Sequence, residues 1–253
     1  MSQISKAVVP AAGLGTRMEP ISSYLPKPML PLGRKPVLQH IVDELQQAGI
    51  QEIGLVIRSD HQAICEYFGN HSAISLIEDN TASGPGGAIL KAEEFIGGDD
   101  FVVIFSDAPM RGSNRSEYLQ RLMTLKQNRK VGAVLSIYQI PKSEISSRGV
   151  VSFEEQEFSK EAPVGLTDII EKPSDEEISR WASACRYVLD GDIFETLKSI
   201  TSDQKGELQL TPAIRDLIAT GETVVGLPLP NQLQRYDTGN FEGYFEAFGD
   251  FVS

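Results

Sequence analysis

Four short runs of apolar, mostly β-branched residues alternate with segments of helical periodicity in the first half of the chain. Runs of this length and composition are typical of strands buried on both faces, as in a parallel sheet. We therefore predict central parallel strands at Lys6 to Ala11, Ile53 to Ile57, Phe101 to Phe105 and Val131 to Tyr138.

The intervening segments predict crossover helices. Between the first two strands, from Pro36 to Ala48, apolar residues form one stripe, with Pro36 in the first turn and Gly49 as C-cap. Three further helices are predicted at about Gln62 to Phe68, Pro85 to Phe95 and Glu117 to Gln127. The alternation predicts an α/β fold: a doubly wound, mostly parallel, Rossmann-like sheet with right-handed crossovers.

The pattern loosens after about Pro141, where polar loops separate shorter elements. Short strands are predicted at Gly149 to Phe153, Leu166 to Glu171 and Arg186 to Leu189, and helices at Asp192 to Ile200 and Thr211 to Thr220. We interpret this half as a substrate-side lid region on the same sheet. Because no repeat, linker or low-complexity tract marks a boundary, we predict one domain over residues 1–253, with halves 1–140 and 141–253.

Composition narrows the class of protein. The 253 residues include 23 basic and 35 acidic side chains, a net charge of −12, which argues against a nucleic-acid partner. Cys65 and Cys185 have neither zinc-type spacing nor a disulfide pattern, which favours a reducing compartment. No run approaches the ~20 apolar residues of a membrane span, and no signal-peptide pattern is present. We expect a soluble, cytoplasmic protein without a membrane partner.

A glycine-rich turn, G-L-G-T-R, follows the first predicted strand, at the sheet edge where open α/β folds bind ligands. Gly13 and Gly15 can adopt positive φ and let backbone N–H groups approach an anion. Met18 stands where the dinucleotide motif has its third glycine, which disfavours an NAD-dependent dehydrogenase. A Walker-type helix is excluded by the prolines that follow, Pro20, Pro26, Pro28 and Pro31.

The turn is followed by two basic residues, Arg17 and Lys27, that can bind a polyphosphate together with the backbone donors. Pro26 and Pro28 restrict the backbone around Lys27, so less ordering entropy opposes binding. In the competing interpretation, Arg17 is a surface residue and the prolines are ordinary loop residues. Spacing alone does not decide between the two.

Longer motifs carry a resemblance to a known family. They are P-A-A-G-L-G-T-R-M, P-K-P-M-L-P, K-P-V-L-Q-H-I-V-D-E-L and A-G-I-Q-E-I, then G-P-G-G-A, Ser106-Asp107, R-G-V-V, I-E-K-P, R-Y-V-L, G-E-L-Q-L-T-P-A-I and Y-D-T-G-N. In this order they resemble the bacterial sugar-nucleotide pyrophosphorylases, most closely the UTP:glucose-1-phosphate uridylyltransferases. The resemblance covers nearly the whole chain and implies the nucleotide-diphospho-sugar transferase fold. The chain is shorter than the usual uridylyltransferase because it lacks much of the segment between the second predicted helix and G-P-G-G-A.

The resemblance implies Mg²⁺-dependent transfer of a uridylyl group from UTP to glucose-1-phosphate, with 1–140 as the nucleotide-binding half and 141–253 as the sugar-binding half. Asp107 and Asp237 would be the Mg²⁺ ligands, and carboxylate oxygens suit this ion. Alternatively, Asp107 caps the turn before Pro109 and Asp237 caps the final helix. The presence of both motifs in order favours the metal.

The resemblance also implies roles for the remaining site residues. Arg17 and Lys27 would bind the triphosphate, Lys172 the sugar phosphate and Glu171 the sugar hydroxyls. Gly149 would let the sugar lie against the backbone. In the competing interpretation, Glu171 and Lys172 form an ion pair with a purely structural role. Because a phosphate monoester is largely ionised above its second pKa of about 6, no general base is needed from the three histidines.

The nucleotide contacts that the resemblance implies do not decide which base the nucleotide carries. They are Ala11, Ala12, Gly13, Gly15, Thr16, Asp79 and Gly84. Asp79 occupies the position of the family's base-binding glutamine, and a carboxylate accepts hydrogen bonds but cannot donate them. Asn80 can substitute if the loop shifts by one residue. The same reaction with dTTP or CTP is therefore an alternative.

Two further points follow from the resemblance. Where the family has the motif V-G-R-Y, this chain has A-C-R-Y, with Cys185 in place of the glycine. The larger side chain narrows the space beside the sugar. A homologue that binds a sugar nucleotide without turnover is disfavoured because all six charged groups are intact: Arg17, Lys27, Asp107, Glu171, Lys172 and Asp237. The family implies small-molecule substrates and a homodimer or homotetramer.

Overall fold

The computed structural model describes residues 3–81, 83–129, 131–154, 159, 161–174 and 179–252. The strands are β1 (Lys6–Pro10), β2 (Pro31–Leu32), β3 (Lys35–Pro36), β4 (Glu52–Ile57), β5 (Ile74–Glu78), β6 (Phe101–Ile104), β7 (Met110–Arg111), β8 (Ala133–Gln139), β9 (Gly149–Ser152), β10 (Val164–Gly165), β11 (Asp168–Glu171), β12 (Trp181–Leu189), β13 (Val224–Pro228) and β14 (Gln234–Arg235). The α-helices are α1 (Val37–Gln47), α2 (Gln62–Phe68), α3 (Gly84–Leu90), α4 (Glu93–Ile96), α5 (Arg115–Arg129), α6 (Ile193–Ser199), α7 (Leu210–Ala219) and α8 (Phe241–Val252). Short 3₁₀ turns lie at Thr16–Met18, Ile21–Ser23, Lys27–Met29 and Lys142–Ser147.

One large sheet contains strands from both halves of the chain, in the order β10-β13-β8-β12-β6-β1-β4-β5. Neighbours among β6, β1, β4 and β5 are parallel, as are β8 and β13. The long strand β12 runs antiparallel to both β6 and β8. Strands β9 and β11 pair with each other and join the sheet through β12. The prediction of an α/β, mostly parallel sheet is confirmed.

Both faces of the sheet are covered by helices. Along β1, the side chains of Ala7 and Val9 point to one face, and Val8 points to the other, as the period of two requires. The first face packs against residues of α1, α2 and α5, and the second against residues of α3, α4, α6 and α7. The sheet is therefore doubly wound, and the carboxyl ends of its parallel strands open onto the site.

Several element predictions need correction. Strand β5 was not predicted, because at this sheet edge its residues are only half-buried or exposed and no apolar run marks it. Strand β12 has nine residues, whereas only Arg186 to Leu189 was predicted. The predicted helix from Pro85 to Phe95 is two helices, α3 and α4, because the Ala92 N–H bonds to the Ile89 carbonyl and tightens the chain there.

The first crossover helix shows how sequence and packing agree. The predicted apolar stripe of α1 is fully buried. Gly49 adopts a φ of +100°, and the Gly49 and Ile50 N–H groups bond to the Gln46 and Leu45 carbonyls, which ends the helix. Within the described part of the chain, no helix is long and apolar enough to cross a membrane.

Candidate active site

A cavity of about 610 Å³ opens at the carboxyl edge of the sheet and is lined by residues from both halves. Its wall includes these predicted site residues: Ala12, Gly13, Gly15, Thr16, Arg17, Lys27, Asp79, Gly84, Asp107, Gly149, Glu171, Lys172 and Asp237. The fold therefore brings together residues that are up to about 225 positions apart in the sequence. Their roles stay predictions.

Ala11 is the exception. Its side chain is 2% exposed and packs in the core, and its N–H donates to the Val56 carbonyl at 2.7 Å. Its side chain and N–H are thus already occupied, and Ala11 does not line the cavity; its nucleotide contact stays a prediction. The glycine-rich turn also differs from expectation, because Gly15 has positive φ (+69°) and Gly13 does not.

The stiff segment after the turn carries Lys27 into the cavity. Its prolines exclude an α-helix, but the segment still forms three 3₁₀ turns, the last of which begins at Lys27. The Lys27 Nζ atom lies 2.5 Å from the Asp107 Oδ2 atom, and the two side chains are only 15% and 19% exposed. Strong pairing in a partly buried setting fixes both groups before any ligand binds.

The two aspartates predicted as metal ligands lie on loops that are joined to each other. The Thr238 N–H and hydroxyl both donate to the Asp107 carbonyl, at 2.9 and 3.1 Å. A Cβ atom on Gly239 would lie 2.9 Å from Asp107 Oδ2, 3.0 Å from Asp237 Oδ1 and 3.0 Å from Arg17 Nη2. Glycine at this position therefore leaves a space onto which two carboxylates and one guanidinium converge.

This space fits Mg²⁺ in the chemistry of its donors. Carboxylate oxygens are the ligands the ion prefers, and it is commonly held by one or two of them plus phosphate oxygens. Among the described residues, no group of three or more potential protein ligands lies close enough to hold a metal alone. Two aspartates would therefore need oxygens from a substrate to complete the coordination.

Asp237 is held ionised by its surroundings. Burial alone would raise its pKa, but the charge of Arg235 and the hydrogen bond from Arg148 outweigh burial and lower the pKa to about 2. The Arg148 Nη1 atom donates to Asp237 Oδ2, and the Gly239 N–H donates to Oδ1 at 3.0 Å. Arg148 is in turn held by Glu144, 2.9 Å from its Nη2 atom.

The predicted sugar residues meet on the opposite wall. Gly149 and Glu171 are partners in the β9–β11 ladder, and Glu171 Oε2 accepts from the Thr211 hydroxyl at 2.8 Å. A Cβ atom on Gly149 would approach Thr211 and Glu171 to 3.2 and 3.3 Å, so glycine keeps this wall open. Lys172 lies 3.3 Å from Glu171, but it is 58% exposed, and an exposed pair of this kind contributes at most about 1 kcal/mol.

On the nucleotide side, Asp79 organises its own loop. It is 1% exposed, and it accepts from the Thr81 N–H and hydroxyl and from the Ser83 hydroxyl, which lower its pKa against the effect of burial. Asn80 lies outside the cavity wall and accepts from Ser59. Gly84 has a φ of +79°, and a Cβ atom at this position would lie 2.8 Å from the Glu207 side chain, so both the backbone and the space favour glycine here. The base contact remains a prediction.

Sequence reasoning missed two arginines, Arg148 and Arg235. Arg148 opens the R-G-V-V motif, and Arg235 directly precedes Y-D-T-G-N, so both stand beside residues that were singled out. A cation one or two residues from a candidate metal ligand or sugar contact is the signal that would have found them. Their partners depend on tertiary contacts and cannot be read from spacing.

Cys185 occupies an unusual backbone position in the cavity wall. It has a φ of +60°, at the point where the register of β12 against β8 shifts. Lys172, also in the wall, is the other non-glycine residue with positive φ in the described part of the chain. Backbone strain of this kind is concentrated at functional sites.

Cys185→Gly is expected to leave the free energy of unfolding unchanged or raised by up to about 1.5 kcal/mol. It removes the left-handed strain of roughly 1–2 kcal/mol, against an entropic cost of about 0.5–1 kcal/mol for glycine. Cys65→Gly, inside α2, is the matched control and should lose about 1 kcal/mol. Urea unfolding measures both, and equal losses would contradict the assignment of strain to Cys185.

Comparisons with known proteins agree with this geometry. The site is that of an α/β enzyme acting on phosphate-bearing substrates, and residues 6–252 match the model of the nucleotidyl transferase family. The chain belongs to this family and is a nucleotidyltransferase. A UTP–glucose-1-phosphate uridylyltransferase of Mycoplasma pneumoniae is 31% identical over 273 residues, 98% of this chain and 92% of the relative. One of Streptococcus pyogenes is 30% identical over 278 residues, 100% of this chain and 90% of the relative.

Solved structures show the same similarity. A UDP-glucose pyrophosphorylase complexed with UDP-glucose superposes with a TM-score of 0.88 at 30% identity, covering 98% of both chains. A UTP-bound enzyme of this type from Acinetobacter baumannii gives 0.85 at 28% identity, covering 98% of this chain and 93% of the other. The predicted membership of the sugar-nucleotide pyrophosphorylases is confirmed.

Proposed function

We propose that the protein transfers a uridylyl group from UTP to glucose-1-phosphate, giving UDP-glucose and pyrophosphate. The observation that carries this proposal is the convergence of Asp107, Asp237 and Arg17 at the Gly239 space. Glu171 and Lys172 lie in the wall of the same cavity. The names of the similar proteins support this pair of substrates.

In the proposed reaction, an oxygen of the sugar phosphate forms a bond to the α-phosphorus of UTP, and the bond from that phosphorus to the β-phosphate oxygen breaks. Pyrophosphate leaves with the electron pair, and no proton has to be removed from the dianionic nucleophile. The chain's task is to hold two anions together. Arg17 and Lys27 would neutralise the triphosphate, and Lys172, 58% exposed, is free to turn toward the sugar phosphate.

Asp107 and Asp237 would hold Mg²⁺, which when bound would neutralise phosphate charge during the transfer. In the described structure, Lys27 and Arg148 each pair with one of these carboxylates. Both cations hold the carboxylates in place until substrates arrive, and Arg148 also helps to lower the pKa of Asp237. Thr238 keeps the two loops in register by bonding to the Asp107 carbonyl.

The structure constrains the base of the nucleoside triphosphate less than it constrains the reaction. Both Asp79 oxygens accept hydrogen bonds from Thr81 and Ser83, so this side chain shapes the loop and cannot supply the donor of a glutamine amide. The same reaction with dTTP or CTP is therefore the second candidate.

Pyrophosphate release over a panel of nucleoside triphosphates and sugar-1-phosphates tests these candidates. We expect UTP with glucose-1-phosphate to be the fastest pair, and chelation of divalent cations to stop the reaction. A preference for dTTP or CTP would replace the uridylyl assignment. Binding of UDP-glucose without turnover of any pair would identify a non-catalytic homologue.

The remaining expectations about the protein's setting stay predictions. They are a homodimer or homotetramer, cytoplasmic localisation, one domain over residues 1–253, and substrates limited to small molecules. Size-exclusion chromatography with light scattering checks the first.

A further inference from the structure

The cations around the cavity differ in whether they already have an anionic partner. Lys27 lies within ion-pair distance of Asp107, and Arg148 lies within ion-pair distance of Asp237. Within the described residues, Arg17 and Arg235 have no carboxylate within ion-pair distance, and both line the cavity. Arg17 is exposed on the glycine-rich turn, whereas Arg235 is half-buried and needs a separate explanation.

Arg235 is poorly satisfied for a partly buried guanidinium. Its acceptors are the Tyr138 hydroxyl at 3.4 Å, which is a long contact, and the Cys185 sulfur at 3.5 Å, and a thiol accepts only weakly. The Nε atom is buried and has no hydrogen-bond partner in the described structure. The guanidinium also lies 5.6 Å from the Tyr138 ring centre, which holds it by a cation–π contact.

A cation in this condition is a candidate for binding an anion. An arginine stays charged at all physiological pH values. The charges of Asp107 and Asp237 reduce the cost of burying Arg235, but neither carboxylate lies within ion-pair distance of it or accepts a hydrogen bond from it. A phosphate can accept two parallel hydrogen bonds from the guanidinium, and these replace the hydrogen bonds to water that burial removes. A weakly bonded guanidinium in a cavity wall therefore points to a ligand that accepts from its Nη groups.

The location of Arg235 indicates which phosphate. Its contacts are to Tyr138 on β8 and to the Cys185 bulge of β12, the strand that also pairs with β9. Two residues further along, Asp237 is bonded by Arg148, whose carbonyl accepts from the Lys172 N–H. Arg235 is thus connected, through Cys185, Tyr138 and the Asp237 loop, to the wall that carries the proposed sugar contacts.

We propose that Arg235 binds the phosphate of the sugar phosphate directly and is a catalytic residue that holds the attacking oxygen in place. The inference rests on the proposed function for the identity of the substrate. The short β7–β14 ribbon positions the residue, because Arg235 is paired with Met110 in that ladder. Lys172, mostly exposed, then acts as a second and more mobile contact to the same group.

Arg235→Lys and Arg235→Gln test the proposal. Loss of the charge-assisted pair should weaken glucose-1-phosphate binding, measured by calorimetry, and raise its KM by about 10- to 100-fold, while UTP affinity changes less than about 3-fold. Arg111→Lys is the matched control, an exposed arginine on the same ribbon that is outside the cavity wall, and it should change neither quantity.

Thermal stability separates binding from a structural role. If Arg235 had only a structural role, its substitution would lower the Tm equally with and without glucose-1-phosphate. If it binds the ligand, its substitution should chiefly reduce the rise in Tm that glucose-1-phosphate gives the wild type. Inorganic phosphate should stabilise the wild type more than Arg235→Gln. Unchanged glucose-1-phosphate binding, or an equal loss of UTP binding, would overturn the proposal.

The two proposals fail in different ways. If the wild type turns over UTP and glucose-1-phosphate while the Arg235 variants bind the sugar phosphate normally, only the role of Arg235 is wrong. If no pair is turned over but glucose-1-phosphate binding still depends on Arg235, the phosphate site stands and the proposed reaction is wrong.

Discussion

Asp107→Asn is expected to lower kcat by at least about 10³-fold, equivalent to about 4 kcal/mol of transition-state stabilisation. Under the proposed function, the change removes one of two carboxylates that hold Mg²⁺ and leaves a neutral amide facing the Gly239 space. Pyrophosphate release at saturating UTP and glucose-1-phosphate measures the effect. Mn²⁺ binding followed by electron paramagnetic resonance, in the presence of UTP, should weaken in parallel and does not depend on turnover.

The fold should survive this change. Thr238 contacts the Asp107 backbone carbonyl, which the variant keeps, and an amide oxygen can still accept from Lys27. We expect the free energy of unfolding to change by no more than about 1 kcal/mol. Asp99→Asn is the matched control: Asp99 precedes β6 as Asp107 follows it, and it also pairs with a lysine, Lys6, at 2.9 Å. A fully active, folded Asp107→Asn enzyme would show that the metal site is misplaced.

The sequence predicted many of the parts of the fold that local pattern specifies, but it missed β13, a fully buried apolar run. The apolar runs located β1, β4, β6 and β8, and the stripe and cap of α1 were correct because burial and backbone conformation act locally there. Strand β5 lies at the sheet edge with half-exposed side chains, so no apolar run marks it. The antiparallel course of β12 between β6 and β8 depends on pairing between distant segments.

In the candidate site, too, the sequence predicted the features that depend on neighbouring residues and missed those that depend on contacts between distant ones. The position of Asp107 after an apolar strand and of Lys27 between prolines could be read from neighbouring residues. The Arg148–Asp237 bond joins residues 89 positions apart, and the Arg235–Cys185 contact joins residues 50 apart. Ala11 is a different case: it belongs to the quoted motif, but directly after β1 its side chain packs in the core, and its nucleotide contact stays a prediction.

Glu44→Ala is expected to lower the free energy of unfolding by about 3–5 kcal/mol. Both Glu44 oxygens accept from Arg186 at 2.7 Å, and the two side chains are 1% and 0% exposed, respectively. The variant leaves a fully buried guanidinium without its counter-ion. Since Arg186 also bonds the Ala184 carbonyl at 3.3 Å, the pair ties α1 to the bulge that carries Cys185. Urea unfolding followed by circular dichroism measures the loss.

Two controls separate the buried pair from ordinary charge effects. Glu93→Ala removes a carboxylate that pairs with the half-exposed Lys198, and should cost less than about 1 kcal/mol. Glu44→Leu combined with Arg186→Met replaces both partners by apolar side chains and should recover most of the stability lost in Glu44→Ala, because no unpaired charge remains. A loss in Glu44→Ala as small as in Glu93→Ala would mean that Arg186 finds water or another acceptor. In that case α1 is not held to β12 by this ion pair.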